Sequence, residues 1–162
     1  MSSPSEPPGV HLAIESRLEN IDLVQVVVEE SLTRLDLEQE AAQFVGLAVR
    51  EAVANAIRHG NREDPDKRVE IDFHVEAGEV VIVVQDEGEG FDPAQVPDPL
   101  QDENLLRPNG RGLLFMRNFM DSIEYSERPG GGTVVTLRKR LSAGEATSNE
   151  PVPTGDDRGV SP

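Results

Sequence analysis

Three polar residues in the first half of the chain recur at intervals of four: Glu51, Asn55 and His59. Because an α-helix turns once every ~3.6 residues, this spacing places the three side chains on one helix face. A carboxylate and an amide one turn apart can hold a hard cation such as Mg²⁺ through oxygen, or orient a hydroxyl beside it. The solvated face of a surface helix would show the same spacing, so this segment alone leaves both interpretations open.

A second candidate, the acidic and glycine-rich segment from Asp86 to Asp92, directly follows an apolar run. A carboxylate at the end of a strand can accept a hydrogen bond from the exocyclic amine of a purine. Gly88 and Gly90 would let the backbone approach such a ligand closely. Taken alone, the segment is better explained as an ordinary Asp/Gly turn.

A third candidate is the segment Asn109-Gly110-Arg111-Gly112-Leu113-Leu114, which begins a predicted helix. Glycines at a helix start leave backbone N–H groups free to point at phosphates, and the helix dipole favours an anion there. The forked guanidinium of Arg111 suits phosphate oxygens. A flexible helix entry is the alternative, because a single Gly-x-Gly is a weak signal.

Periodicity of the apolar residues predicts the elements that must position these segments. Asn20 is predicted to cap a first helix that reaches Leu35, and Asp36 to cap a second that Gly60 ends. The predicted elements are an edge strand around 11–15, the second helix over 37–59, strands over 69–75 and 79–85, a long loop over 86–109, a helix over 112–120, and strands over 122–127 and 133–140. Gly130 to Gly132 is predicted to serve only as a hairpin turn. This order indicates an α+β two-layer sandwich, with three helices on one face of a mixed, mostly antiparallel sheet.

Composition limits the functions that the chain can have. It has 162 residues, with 31 acidic and 15 basic side chains and a net charge of -16. That charge argues against nucleic-acid binding and requires that any nucleotide be screened locally, for example by a metal ion. Cysteine is absent, and there is no apolar run near ~20 residues, so we expect a cytoplasmic protein without a membrane segment. Residues 1–9 and 142–162 are predicted to be disordered tails around a domain over 10–141.

The three segments together resemble the N, G1 and G2 boxes of the GHKL ATPase superfamily, whose Bergerat fold matches the predicted element order. Within it, the chain is most similar to the anti-sigma-factor serine-protein kinases. The resemblance spans about Val10 to Leu141, and the matching words are Glu51-Ala-x-x-Asn55-Ala-x-x-His59, Asp86-Glu-Gly88, Phe91-Asp92 and Gly110-x-Gly112-Leu113.

The resemblance implies a role for each matching residue in binding ATP and Mg²⁺. Asn55 would ligate the metal, Glu51 would be the general base for a serine hydroxyl, and Asp86 would bind the adenine amine. Gly88 and Gly90 would shape the base pocket, and Thr133 would support it through its hydroxyl. The phosphates would be bound by Gly110, Arg111, Gly112 and Leu113, with Arg111 also stabilising the charge that develops on the transferred phosphoryl group. His59 is expected to be structural.

The implied function is an ATP-dependent serine-protein kinase and anti-sigma factor. It would sequester a sigma factor, phosphorylate a serine on a STAS-type anti-anti-sigma protein, and form a homodimer. Two alternatives stay open: a non-catalytic binding module whose lid over 92–109 is ordered by ATP, and an orphan histidine-kinase-type ATPase domain. Relatives commonly carry an arginine in the first helix that contacts the sigma factor, whereas an ungapped alignment places Gln25 there.

Overall fold

The computed structural model describes residues 9–35, 37–90 and 118–141. The tails, the cap at Asp36, the lid over 92–109 and the phosphate-binding residues Gly110, Arg111, Gly112 and Leu113 lie outside the described residues. These features therefore stay predictions, as does most of the third helix. None of the described helices combines the length and apolarity that a bilayer crossing requires.

A five-stranded sheet forms one layer of the molecule, with the strand order β1-β2-β3-β5-β4. The strands are β1 (Val10–Glu15), β2 (Arg68–Glu76), β3 (Glu79–Gln85), β4 (Ser122–Glu127) and β5 (Thr133–Arg140). All four neighbouring pairs are antiparallel, rather than mixed as expected. Tight turns join β2 to β3 and β4 to β5, and such turns reverse the chain. β1 is an edge strand, as predicted, and β3 is the central strand of the sheet.

Two helices, α1 (Asn20–Thr33) and α2 (Gln39–Asn55), form the second layer. The prediction that Asn20 caps α1 is wrong. Glu19 occupies the cap position without a side-chain hydrogen bond, and Asn20 is the first helical residue. The side-chain amide of Asn20 instead donates to the carbonyl oxygen of Glu15 at 3.0 Å. It therefore ties the end of β1 to the start of α1.

The hydrophobic core lies between the two layers and is almost entirely aliphatic. Residues of β3 alternate in direction, so that Val80, Ile82 and Val84 face the helices and are buried. The helices contribute Ile21, Val24, Val28 and Leu32 from α1, and Val45, Ala48, Val49, Ala52 and Val53 from α2. Met120, just before β4, also belongs to this core.

A π-helical turn, Ala56–Gly60, directly continues α2. Its pattern is closed by the N–H of Asn61, which donates to the carbonyl oxygen of Ala56 at 2.8 Å. The regular α-helical spacing therefore ends at Asn55, and His59 lies in the π turn rather than one further α-helical turn along. Single π turns of this kind occur often at functional sites.

Candidate active site

Asp86, at the end of β3, is the most deeply buried charged residue of the candidate site, with 5% of its surface exposed. Its Oδ1 accepts hydrogen bonds from the backbone N–H of Gly88 at 2.9 Å and of Thr133 at 3.1 Å. Its own N–H donates to the carbonyl oxygen of Thr133 at 3.0 Å. Because Oδ2 has no hydrogen-bond partner among the described residues, it is the oxygen free to accept a bond from a ligand.

Burial raises the pKa of Asp86, because a carboxylate loses hydration inside the protein. The hydrogen bonds from Gly88 and Thr133 and the charges of Arg128 and Lys67 lower the pKa and so oppose that effect. The Asp86 carboxylate is thus desolvated, and among the described residues the backbone donors bind only its Oδ1. Such a group suits a neutral N–H donor such as an exocyclic amine.

Three glycines pack directly against Asp86 and against each other. A Cβ atom on Gly60 would overlap the carboxylate of Asp86, and one on Gly88 would overlap the carbonyl group of Gly60. A Cβ atom on Gly132, where φ is +118°, would overlap the backbone carbonyl of Asp86. The residues at these positions must therefore lack a side chain for the end of α2, the end of β3 and the start of β5 to meet.

From the sequence, the segment from Gly130 to Gly132 is predicted to serve only as a hairpin turn. That prediction is wrong in one respect, because Gly132 also forms part of the wall around Asp86. Thr133 is 7% exposed and contacts Asp86 through its backbone N–H and carbonyl group. The proposed role of its hydroxyl stays a prediction.

Asn61, directly after the π turn, is buried. Its side-chain NH₂ donates to Ser16 Oγ at 2.8 Å and to the carbonyl oxygen of Arg68 at 2.9 Å. Its side-chain oxygen accepts the N–H of Glu87 at 2.7 Å. One amide therefore joins the segments after β1, before β2 and after β3. The only local signal for this role is an asparagine directly after a helix-ending glycine.

Glu51 and Asn55 are half-buried on α2, and neither side chain hydrogen-bonds to another described residue. Burial raises the pKa of Glu51, while Arg58, His59 and Arg50 lower it through their charges. An unpaired carboxylate with a raised pKa is a better proton acceptor than an exposed one. The amide oxygen of Asn55 is free to ligate a cation.

No group of three or more His, Cys, Asp or Glu side chains that could hold a metal ion occurs among the described residues. A cation at Asn55 would therefore take most of its ligands from water or from a bound molecule. Mg²⁺ commonly binds in this way, through one or two protein oxygens together with phosphates and water. The donors that are present thus fit Mg²⁺ carried by a nucleotide.

The structure brings Asp86 into contact with the end of the helix that carries Glu51 and Asn55, because Gly60 packs against the Asp86 carboxylate. Gly88 lies in the same cluster. Gly90 has a φ of +97° and its added Cβ would meet only the Gly132 carbonyl oxygen, at an ordinary 3.8 Å. The segments that carry two of the three predicted boxes therefore meet at Gly60, Asp86 and Gly88.

Comparisons with known proteins show what the chain is similar to. The model of the histidine kinase-like ATPase domain family matches residues 14–139. Anti-sigma F factor of Geobacillus kaustophilus (strain HTA426) is 34% identical over 142 residues, covering 86% of this chain and 97% of that protein. Anti-sigma F factor of Bacillus subtilis (strain 168) is 32% identical over 142 residues, with the same coverage of 86% and 97%.

Solved structures that share the fold include a mycobacterial one. The crystal structure of the RsbU and RsbW domains of a Mycobacterium tuberculosis protein has a TM-score of 0.61 and 20% identity. The match covers 83% of this chain and 33% of that longer chain. At this identity the likeness concerns the fold, and it supports the α+β architecture predicted from the order of the elements.

Proposed function

Because the chain belongs to the histidine kinase-like ATPase domain family, we propose that it is an ATP-dependent serine-protein kinase and anti-sigma factor. It sequesters a sigma factor and phosphorylates a serine on a STAS-type anti-anti-sigma protein. The observation that carries this proposal is the unpaired, half-buried Glu51 carboxylate one turn from Asn55, on the helix whose end packs against Asp86.

The proposed nucleotide is ATP, recognised through its base at Asp86. Oδ2 of Asp86 accepts the exocyclic amine of adenine, while Oδ1 is held by Gly88 and Thr133. Gly88 would shape the base pocket by letting Gly60 pack closely beside Asp86, and Gly90 leaves room for the base. Asn55 would hold Mg²⁺, which neutralises phosphate charge in a chain of net charge -16. The predicted phosphate-binding residues Gly110, Arg111, Gly112 and Leu113 complete this proposal.

Glu51 is the proposed general base for phosphoryl transfer. As the serine oxygen attacks the γ-phosphorus, the hydroxyl proton passes to the Glu51 carboxylate and the bond to the ADP oxygen breaks. Burial raises the pKa of Glu51, which strengthens its carboxylate as a base. Arg111 is proposed to stabilise the charge on the transferred group, as positioning and electrostatics dominate this chemistry.

The proposed sigma-binding surface lies on the exposed side of α1. Leu23 and Val26 are three residues apart and therefore neighbours on the surface of α1. They are 58% and 63% exposed, which is unusual for two neighbouring large apolar side chains. Arg50 of α2 reaches across to α1, where Nη1 donates to Gln25 Oε1 at 2.7 Å and to Asp22 Oδ1 at 2.9 Å. A cation supplied from α2 thus stands beside Gln25, where relatives commonly carry their own arginine. We expect this surface to bind the sigma factor, and the protein to act as a homodimer in the cytoplasm.

The proposed transfer is tested by Glu51→Gln in an assay that follows radiolabelled phosphate from ATP to STAS-type anti-anti-sigma proteins from the same genome. The substitution removes the proton acceptor and keeps the shape, so transfer should fall by about 100-fold or more, while ATP affinity stays within about twofold. Glu40→Gln, at an exposed position of the same helix, is the matched control and should keep full transfer.

The same assay separates the alternatives. Phosphoserine survives acid and phosphohistidine does not, so loss of the label in acid would favour the histidine-kinase alternative. ATP binding without any transfer by the unmodified protein would favour the non-catalytic module. Full transfer by the Glu51→Gln protein would show that another group is the base.

A further inference from the structure

We infer that Arg128, in the turn between β4 and β5, is a positioning residue that holds Asp86 in the orientation and charge state that binding of the adenine amine requires. The inference rests on the nucleotide site proposed above, and it adds a residue that lies outside the three boxes. Arg128 acts through Asp86.

The guanidinium of Arg128 contacts three acidic residues at the ends of two strands. Nη1 donates to the backbone carbonyl oxygen of Asp86 at 3.4 Å and lies 3.9 Å from Glu87 Oε1. Nη2 lies 3.2 Å from Glu70 Oε2 on β2. The Arg128 side chain is only 19% exposed, so these contacts are screened less by water than a surface ion pair would be.

Strand register shows which side of the sheet Arg128 occupies. Glu70 pairs with Gln85 of β3, and Gln85 pairs with Val134 of β5. Side chains alternate along a strand, and the neighbours of Glu70, Val69 and Ile71, belong to the core. Glu70 therefore lies on the face opposite the helices. Arg128 spans the end of the sheet from β5 to β2 on this face, behind the backbone that carries Asp86.

The backbone of the turn fixes Arg128 as well. Its N–H donates to the carbonyl oxygen of Gly132 at 3.0 Å, and its carbonyl oxygen accepts the N–H of Gly131 at 3.0 Å. Thr133 follows Gly132. Its N–H donates to Asp86 Oδ1, and its carbonyl oxygen accepts the N–H of Asp86. The turn thus holds Asp86 through the backbone of Thr133 and through the side chain of Arg128.

The charges around Asp86 explain why this cation is needed. Glu87 and Glu70 both lie close to the guanidinium of Arg128. Lys67 is the other cation that lowers the pKa of Asp86. Without Arg128, Lys67 would be the only one left of the two cations that lower the pKa of Asp86. The pKa of Asp86, already raised by burial, would rise further, and the protonated carboxyl would lose its acceptor for the adenine amine.

The test measures ATP affinity as a function of pH in the full-length protein and in two variants. Arg128→Gln should weaken ATP binding by about tenfold at neutral pH. It should also shift to higher pH the midpoint at which binding is lost on acidification. Arg128→Lys keeps the charge, so it should restore most of that midpoint even if the affinity stays reduced. Titration of the ATP phosphates is common to all the proteins compared and cancels.

Arg138→Gln is the matched control, because Arg138 lies on the same sheet face and pairs with Glu76 and Glu79, away from Asp86. Its acid midpoint should equal that of the unmodified protein. If Arg128→Gln does not fold, Glu70→Gln replaces it and should move the midpoint to lower pH. An unchanged midpoint in both variants would overturn the inference. Absence of ATP binding by the unmodified protein would instead refute the proposed nucleotide site.

Discussion

At the scale of single residues, Asp86 combines a cost to stability with a proposed role in binding ATP. A carboxylate with 5% exposure has lost most of its hydration, and the backbone donors compensate only Oδ1. Because its folded pKa is raised, Asp86 contributes stability that is fully present when the carboxyl is protonated, below its unfolded pKa. That contribution is lost as pH rises through the folded pKa.

Asp86→Asn is therefore expected to separate stability from binding. The amide oxygen can accept both bonds that Oδ1 accepts, whereas the NH₂ that replaces Oδ2 cannot accept the adenine amine. ATP affinity should fall by about tenfold or more. Thermal unfolding without nucleotide should show a stability equal to or above that of the unmodified protein, with a difference that grows as pH rises through the folded pKa. Unchanged ATP affinity would contradict the assignment.

At the scale of elements, the turn between β4 and β5 is more than a chain reversal. Gly130 and Gly132 both have positive φ, at +91° and +118°. An added Cβ meets nothing within 4 Å at Gly130, whereas at Gly132 it overlaps the Asp86 carbonyl group. Gly130 therefore serves the turn, whereas Gly132 also lets β5 approach Asp86.

This difference makes Gly132→Ala and Gly130→Ala a matched pair. Both place alanine at a positive φ, which costs about 1 kcal/mol. Only Gly132→Ala also displaces Asp86, so it should lose about 2 kcal/mol or more of unfolding free energy and most of its ATP affinity. Denaturant unfolding and titration calorimetry measure the two effects. Equal behaviour of the two variants would refute the close approach at Gly132.

At the scale of the whole molecule, charge and exposed apolar surface are unevenly distributed. The chain carries a net charge of -16, yet Arg50 places a cation between α1 and α2, beside the exposed Val26. The Arg50 side chain is 43% exposed, so it can contact a partner while it bonds to Gln25. The proposed partner surface and the nucleotide site thus share α2 and use different residues of it.

Arg50 is the cation that joins α2 to α1 at this surface. Because Arg50→Glu reverses its charge, the substitution should weaken capture of the sigma factor by about tenfold. ATP affinity should stay within about twofold because Arg50 does not contact Asp86 or Asn55. Arg34→Glu, at the exposed end of α1, is the control. Capture measured by calorimetry that is equal for both variants would place the sigma-binding surface elsewhere.

Much of the fold could be predicted because strands and helices leave local signals. The bounds of β3, β4 and β5 match the predicted ones, and the apolar stripes of α1 and α2 are the buried faces. The predicted helix cap at Asn20 is wrong because the side-chain amide of Asn20 donates to the carbonyl oxygen of Glu15 at the end of β1. The π turn at the end of α2 was missed, since no residue type specifies it.

By itself, the sequence determined which residue types stand at the ends of which elements, including Glu51, Asn55 and Asp86. Periodicity and motif spacing depend on neighbours along the chain, so they can be read without coordinates. Only the tertiary structure decided that Gly60, Asn61, Arg128 and Gly132 surround Asp86. These contacts join three separate parts of the chain, and they exist only because the sheet pairs β2, β3 and β5 beneath α2.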